Sequence, residues 1–144
     1  MLLETTFGKT VRYHQSRGIV GKKFSLIKIL KLGGSTSPRF YIRSSNLNIG
    51  FDVESQSELD SAIIELREKG VLIHINVKVR NFEWIIPYYR LVLYHTDKVL
   101  SLHSQGFFLQ FEQKKTSRQH TDFVKKLIDQ KQDFRSDFSF IDDL

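Results

Sequence analysis

The sequence contains no cysteine and only two prolines among its 144 residues. The absence of cysteine excludes disulfide bonds, thiol nucleophiles and cysteine-based zinc sites, and it is consistent with a reducing compartment. Long apolar runs are also missing. The longest, residues 24–32, is interrupted by Lys28 and Lys31 and is much shorter than the ~20 residues that span a bilayer. No secretory signal pattern opens the chain, so we expect a soluble, cytoplasmic protein.

Sequence signals of catalysis and of metal binding are sparse. No two of the five histidines have the i, i+2 or i, i+4 spacing that is typical of metal ligands. His103, Ser104 and Asp97 have the residue types of a catalytic triad, but a short hairpin lacks the strained elbow that projects a nucleophilic serine. Residues 33–36 are glycine-rich without forming a known phosphate-binding motif, and we interpret them as a hairpin loop. We therefore expect no metal and no cofactor. An enzyme whose site is assembled from dispersed residues is kept as an alternative.

Phenylalanine is over-represented, with 12 Phe beside 5 Tyr and 1 Trp, and aromatic side chains bury large areas when a chain folds. The apolar share of 40% and the charged share of 26% are ordinary for a globular protein. The length suits one domain with a real core. We predict a single α+β domain over residues 1–133 and an acidic, aromatic tail over residues 134–144.

Positive charge is concentrated towards the start of the sequence. The whole chain carries a net charge of +6, yet the segment from Lys9 to Arg43 contains nine Lys or Arg and no Asp or Glu. Such asymmetry favours an anionic partner, namely a nucleic acid, lipid headgroups or an acidic protein, although an inert solvated face explains it equally well. We select six basic residues of this segment as candidate ligands of an anionic partner: Arg12, Arg17, Lys22, Lys23, Arg39 and Arg43.

Two helices are predicted. The first covers residues 57–69, with Ser57 as its N-cap and Gly70 as its left-handed stop. Its apolar residues fall at i, i+3, i+4 and i+7: Leu59, Ala62, Ile63 and Leu66. The second helix covers residues 118–132 and carries an apolar face made of Phe123, Val124, Leu127 and Ile128.

The strands are predicted mainly from alternation and turn residues. Residues 71–80 alternate between apolar and polar side chains, which favours an antiparallel sheet with one open face. Short turns join three further strands into a meander: residues 88–94, 99–103 and 107–111. Four strands are predicted in the N-terminal third: residues 9–15, 24–32, 40–44 and 47–54.

Residues 24–32 have a second interpretation, because periodicity does not decide so short a run. As a strand they would belong to the core, which we favour. As a helix, the sequence GKKFSLIKILKL would be basic and amphipathic and would lie on anionic lipid. Arg39, Tyr41 and Arg43 would share one face of a strand, and this pattern keeps a nucleic-acid-binding domain as another alternative.

The order of elements over residues 71–132 resembles the bacterial pleckstrin-homology-like domains. The resemblance lies in a meander containing WIIPYYRLVLYHTDKVLSLHSQGFFLQF, followed by an amphipathic helix containing FVKKLI. It implies a strongly bent antiparallel sheet, or partial barrel, plugged at one end by the terminal helix; the predicted helix 57–69 is additional to that fold. Members of the family bind phosphoinositides or proteins. The resemblance therefore implies a non-catalytic binding module, and we expect the basic N-terminal third to engage an anionic or protein partner, with self-association left open.

Overall fold

The computed structural model describes residues 1–6, 18–52, 54, 60–112 and 118–136. Within these residues the chain has an α+β fold with a large antiparallel sheet of eight strands. The strands are β1 (Leu2–Glu4), β2 (Phe40–Ser45), β3 (Ser61–Leu66), β4 (Gly70–Val77), β5 (Arg80–Pro87), β6 (Val92–His95), β7 (Val99–Ser104) and β8 (Phe107–Glu112). Two helices are α1 (Leu26–Leu32) and α2 (Arg118–Ser136), residues 18–20 are also helical, and a 3-10 turn covers Tyr88–Arg90.

The sheet is irregular at β2. Its strand order is β1-β5-β4-β3-β2-β8-β7-β6, so it has two ends and does not close on itself within the described residues. β2 pairs with β3 only through Phe40 and Tyr41, and the register of β2 against β8 shifts between Ile42 and Ser44. A bulge of this kind bends a strand and increases its twist. The inner faces of the strands on both sides of β2 contribute to one core cluster.

α2 covers this core, and its prediction is confirmed. The helix begins at Arg118 as expected, and Phe123, Val124 and Leu127 are buried. It continues to Ser136, beyond the predicted end at residue 132 and into the first residues of the predicted tail. Within this extension the ring of Phe134 lies 5.6 Å from the ring of Tyr88. Residues 137–144 lie outside the described residues, so the rest of the tail stays a prediction.

The helix predicted over residues 57–69 is wrong in its described part, because Ser61–Leu66 is the strand β3, paired on both sides. Its core-facing residues are Ala62, Ile64 and Leu66, and its outer face carries buried polar side chains: Ser61, Glu65 and Arg67. Because the apolar Ile63 lies on the same outer face as these polar groups, the sequence of β3 does not alternate regularly between apolar and polar residues. Its apolar residues match the spacing of a helix by coincidence. Pairing with two neighbouring strands decides the conformation here.

Gly70 has a different role from the predicted helix stop. It begins β4, and a Cβ at this position would lie 2.3 Å from the carbonyl oxygen of Ile86. The strand that follows is confirmed, with its odd-numbered residues buried from Val71 to Val77. It ends earlier than predicted, since Val79 is 86% exposed in the turn that leads to β5.

β5 was not predicted, and the strand predicted over residues 88–94 is wrong in its first half, where Tyr88–Arg90 forms the 3-10 turn. β5 lacks a visible apolar–polar alternation because both of its faces are buried from Phe82 to Pro87. The strands predicted over residues 40–44, 99–103 and 107–111 are confirmed as β2, β7 and β8.

The interpretation of residues 24–32 as a strand is wrong. Leu26–Leu32 is α1: the Ser25 hydroxyl accepts the N–H of Lys28 at 3.3 Å, and Gly33 ends the helix with φ +74°. Residues 33–36 therefore connect a helix to β2 and do not form a hairpin loop. Residues 47–52 form no strand, and the strand predicted over residues 9–15 lies outside the described residues. No described helix has the length and apolar content needed to cross a membrane.

Candidate functional site

α1 presents three large apolar side chains to solvent. Leu26, Ile27 and Leu30 are 79%, 68% and 80% exposed. At about 100° per residue, they lie on one side of the helix, while Ile29 and Leu32 on the other side pack against the core. Single exposed apolar residues are common, but a contiguous group on one helix face indicates an interaction surface. We call Leu26, Ile27 and Leu30 the apolar crest.

Four exposed lysines accompany the apolar crest: Lys22, Lys23, Lys28 and Lys31. The Nζ of Lys28 lies 4.2 Å from the centre of the Phe24 ring, a favourable cation–π position. Lys31 is in the last turn of α1, where a positive charge suits the negative end of the helix. None of the four forms an ion pair with a described residue.

The chain that enters α1 is fixed to the sheet. Val20 is buried in a small cluster with Leu72 and Ile85 on the outer face, and its carbonyl accepts the N–H of Lys69 at 2.8 Å. Gly21 then turns the chain with φ +84°, a conformation that glycine adopts without strain. Phe24, 5% exposed, belongs to the main core. The segment thus runs from the outer face of the sheet to the core just before α1.

The chain that leaves α1 is fixed as well. The N–H of Leu66 donates to the carbonyl of Ser35, and the hydroxyl of Ser37 accepts the N–H of Ile64, both at 2.8 Å. Lys126 of α2 donates from Nζ to the carbonyl of Gly33 at 3.1 Å. α1 is therefore held on its N-terminal side by the turn between β3 and β4, through Lys69, and on its C-terminal side by β3 and α2. A surface that is ordered before binding loses little conformational entropy when a partner docks.

Arg67 is the buried residue that links this region to the sheet. Its side chain is 3% exposed and donates to the carbonyl of Gly21 and to the carboxylate of Glu65, each at 3.2 Å. Burial alone would raise the pKa of Glu65, but the hydrogen bond from His74 and the charge of Arg67 together lower that pKa below its ordinary value. The hydroxyl of Tyr88 donates to the Arg67 carbonyl at 3.0 Å, and burial raises the pKa of this phenol, so it stays protonated as a donor.

His74 belongs to the same cluster on the outer face of β4. Its Nε2 lies 3.4 Å from the Glu65 carboxylate, and its Nδ1 lies 3.7 Å from the Glu83 carboxylate. Both ring nitrogens face carboxylates on the neighbouring strands β3 and β5, so His74 joins Glu65 and Glu83 across the outer face of the sheet. The cluster of Glu65, Arg67, His74 and Glu83 therefore stabilises the fold.

His103 does not assemble the triad considered from the sequence. Ser104 lies on the opposite face of β7, because successive strand residues alternate. The partner of His103 is Ser101, whose Oγ is 2.7 Å from Nε2. Ser101 is only 4% exposed, and it lies beside His103 in the lining of a shallow surface pocket. No group of three or more potential metal ligands occurs among the residues that the structure describes.

The six candidate anion-binding residues occupy different places. Lys22 and Lys23 are exposed and directly precede α1. Arg39 and Arg43 are exposed with Tyr41 on the side of β2 that points away from the core, whereas α1 covers the core on the inner side. Arg12 and Arg17 lie outside the described residues.

The second interpretation of residues 24–32, a basic amphipathic helix on anionic lipid, contains the apolar crest, whereas the favoured strand interpretation would have buried these residues. The signal that was present is the pair of caps, Ser25 before the apolar run and Gly33 after it.

No protein-family model, no curated protein and no solved structure matches this chain. The functional assignment therefore rests on the geometry of α1 and its surroundings.

Proposed function

We propose that this protein is a non-catalytic binding module that docks on anionic membrane surfaces through α1. The observation that carries the proposal is the apolar crest on α1, with Lys28 and Lys31 on the same helix and Lys22 and Lys23 exposed in the segment before it. Such a helix binds in the plane of the membrane interface, with its apolar side chains among the acyl chains and its cations at the headgroups.

The chemistry of the surface favours a bilayer over the other anionic partners. The apolar crest is wholly aliphatic, whereas proteins that bind single-stranded nucleic acid stack bases on aromatic side chains. Lysine is depleted in protein–protein interfaces, and leucine is under-represented among their hot spots. A convex aliphatic surface needs a matching groove on a protein, while a bilayer accepts it without one.

The magnitudes are on the scale of reversible peripheral binding. Each lysine near an anionic membrane contributes about 1 kcal/mol, so the four together contribute about 4 kcal/mol. Full burial of a leucine or isoleucine side chain contributes about 1.5–3 kcal/mol. Because association costs at least about 4 kcal/mol in lost translational and rotational freedom, we expect binding that needs both the charges and the apolar crest.

We further propose that the fold is pleckstrin-homology-like. The support is the strand order without β1: β5-β4-β3-β2-β8-β7-β6 is one four-stranded meander followed by a three-stranded meander, with α2 packed against the core that both share. The internal helix that would have been additional to that fold is the strand β3. Because members of the family bind phosphoinositides or proteins without catalysis, a membrane-binding role agrees with this assignment.

Vesicle sedimentation tests the proposed function. The protein should sediment with vesicles of phosphatidylcholine mixed with phosphatidylserine and stay in solution with vesicles of phosphatidylcholine alone. Binding should weaken as salt is raised, because salt screens the lysine charges. Failure to bind the mixed vesicles at low salt would contradict the proposal. Equal binding to both kinds of vesicle would contradict the role of the lysines.

A further inference from the structure

The sheet ends at β6, and no strand pairs with the outer edge of β6 in the part of the chain that the structure describes. The hairpin to β7 fixes which groups face this edge. The N–H of Thr96 donates to the carbonyl of Val99 at 2.9 Å. Hydrogen-bonded pairs alternate along an antiparallel ladder, so the next bonded pair towards the start of β6 is Tyr94 with Ser101.

The residues between these bonded pairs have their main-chain groups directed away from β7. In β6 they are Leu93 and His95, which face Leu102 and Leu100 in the register. Their N–H and carbonyl groups therefore point at the open edge. Unpaired main-chain groups in a row are a template for another strand.

β6 lacks the features that usually protect an edge strand. Its sequence, Val-Leu-Tyr-His, contains no charged residue, proline or glycine, and its register with β7 is continuous. The other end of the sheet is different: at β1, Glu4 accepts two hydrogen bonds from Arg80, at 3.0 and 2.8 Å. One edge thus carries a charged pair, and the other presents an uncharged strand.

The outer face beside β6 is apolar and aromatic. Val92 and Tyr94 are 47% and 60% exposed. The ring of Tyr94 contacts His103 edge-on at 4.9 Å, and His103 stacks on Phe108 at 5.7 Å. An aromatic row therefore crosses from β8 to β6 and ends, exposed, at the open edge.

We infer that β6 pairs antiparallel with β6 of a second copy of this chain, about a two-fold axis at Leu93. A two-fold axis perpendicular to the sheet places the outer face of one copy beside the outer face of the other. The outer face of β6 carries its even-numbered residues, so Val92 lies opposite an even-numbered residue of the second copy. With the axis at Leu93 that residue is Tyr94, and the pair occurs twice. Aromatic and β-branched side chains opposite each other stabilise a sheet. An axis at Tyr94 would instead bring Arg90 of one copy towards Lys98 of the other.

A second copy fits this edge because the strand is complementary to itself: it has no charge to repel its equivalent, and each exposed Val92 and Tyr94 covers the other. The pairing is short, since β6 has four residues. Interfaces of this size are weak and transient, so we expect a dimer that forms as the concentration rises. The apolar crest and β6 share no residue, so this inference stands apart from the proposed function.

Sedimentation velocity over micromolar to millimolar concentrations tests the inference. The wild-type protein should shift from monomer to dimer with concentration. Val92→Lys places a charge opposite Tyr94 of the second copy, on both sides of the axis. This variant should stay monomeric throughout. Val79→Lys is the matched control: Val79 is 86% exposed in a turn, so this variant should dimerise like the wild type. A wild type that is monomeric at every concentration overturns the inference, as does a dimer that Val92→Lys leaves intact.

Hydrogen exchange followed by NMR tests the geometry without any substitution. The amide protons of Leu93 and His95 should exchange fast in dilute solution and more slowly as the dimer forms. The amide of Tyr94, paired with Ser101, should be protected at every concentration. Association without added protection at Leu93 and His95 overturns the inference, because the copies would then meet at another surface.

Discussion

Replacement of Leu30 by alanine tests the apolar crest with little risk to the fold. Leu30 is 80% exposed, and alanine has the highest helix propensity, so the free energy of unfolding should stay within about 0.5 kcal/mol of wild type. In the membrane the variant lacks three carbons. At about 0.8 kcal/mol for each buried methylene, full insertion of Leu30 predicts a loss of about 2.4 kcal/mol. Since about 1.4 kcal/mol is a factor of ten, vesicle binding should weaken by up to about 50-fold.

The assay is a titration of the protein with vesicles containing phosphatidylserine, with the bound fraction measured by sedimentation at constant salt. Val79→Ala is the control, because Val79 is also highly exposed, at 86%, and lies in the turn between β4 and β5. Heparin provides a second comparison: it offers negative charge without hydrocarbon, so Leu30→Ala should bind it like the wild type. Wild-type affinity of the variant for vesicles would refute insertion of Leu30, and an equal loss on heparin would refute the role of hydrocarbon.

Three further predictions concern charge, packing and pH. The double variant Lys22→Glu, Lys23→Glu should bind anionic vesicles more weakly and with a shallower salt dependence, as measured by sedimentation; an unchanged salt dependence would exclude these lysines from the contact. Gly70→Ala should destabilise the fold by about 1–3 kcal/mol or more in urea, because the Cβ would lie 2.3 Å from a carbonyl oxygen; a wild-type midpoint would contradict this packing. Glu65→Gln should cost about 3–5 kcal/mol near neutral pH, because it leaves Arg67 buried without its anion. Since the pKa of Glu65 is lowered in the folded state from 4.5, its contribution is present above that value and is lost as the pH falls through the folded pKa. The difference between the variant and wild type should therefore shrink on acidification, and a pH-independent difference would argue against the ion pair.

The elements predicted correctly from the sequence are those whose patterns report one buried face. β4 alternates because its inner face packs in the core and its outer face carries His74 and Asn76. α2 has a single apolar stripe because only one side of it meets the sheet. In both cases local pattern and tertiary environment agree, which is the condition under which sequence patterns are reliable.

The failures at β3 and β5 have a physical cause. On the outer face of β3, Glu65 and Arg67 are buried as an ion pair. Sequence patterns assume that a buried position is apolar and that a charged residue is solvated, and these two residues fit neither assumption. β5 is buried on both faces from Phe82 onwards and shows no alternation. The two residues of this pair are close in sequence, but their burial depends on Gly21 from a distant segment and on His74 from the neighbouring strand, and local sequence does not show those contacts.

The candidate site was partly predictable. Charge alone identified Lys22 and Lys23. The apolar crest belongs to the helical interpretation of residues 24–32, which was not the favoured one, since a short run of leucine, isoleucine and lysine fits a buried strand as well as an exposed helix. What separates the two is the anchoring of Gly21 and Gly33 by distant residues, which fixes the helix with Leu30 outward.

The most direct test of the central claim is the depth of α1 in the membrane. Because the chain has no cysteine, Ile27→Cys carries an environment-sensitive fluorophore at a single place on the apolar crest, and Val79→Cys carries it at an exposed control site. With vesicles of phosphatidylcholine and phosphatidylserine, the label at position 27 should shift to shorter emission wavelengths and be quenched by spin labels on the acyl chains. The label at position 79 should do neither. Bound protein whose label at position 27 stays in water, or whose two labels respond equally, would contradict membrane docking through α1.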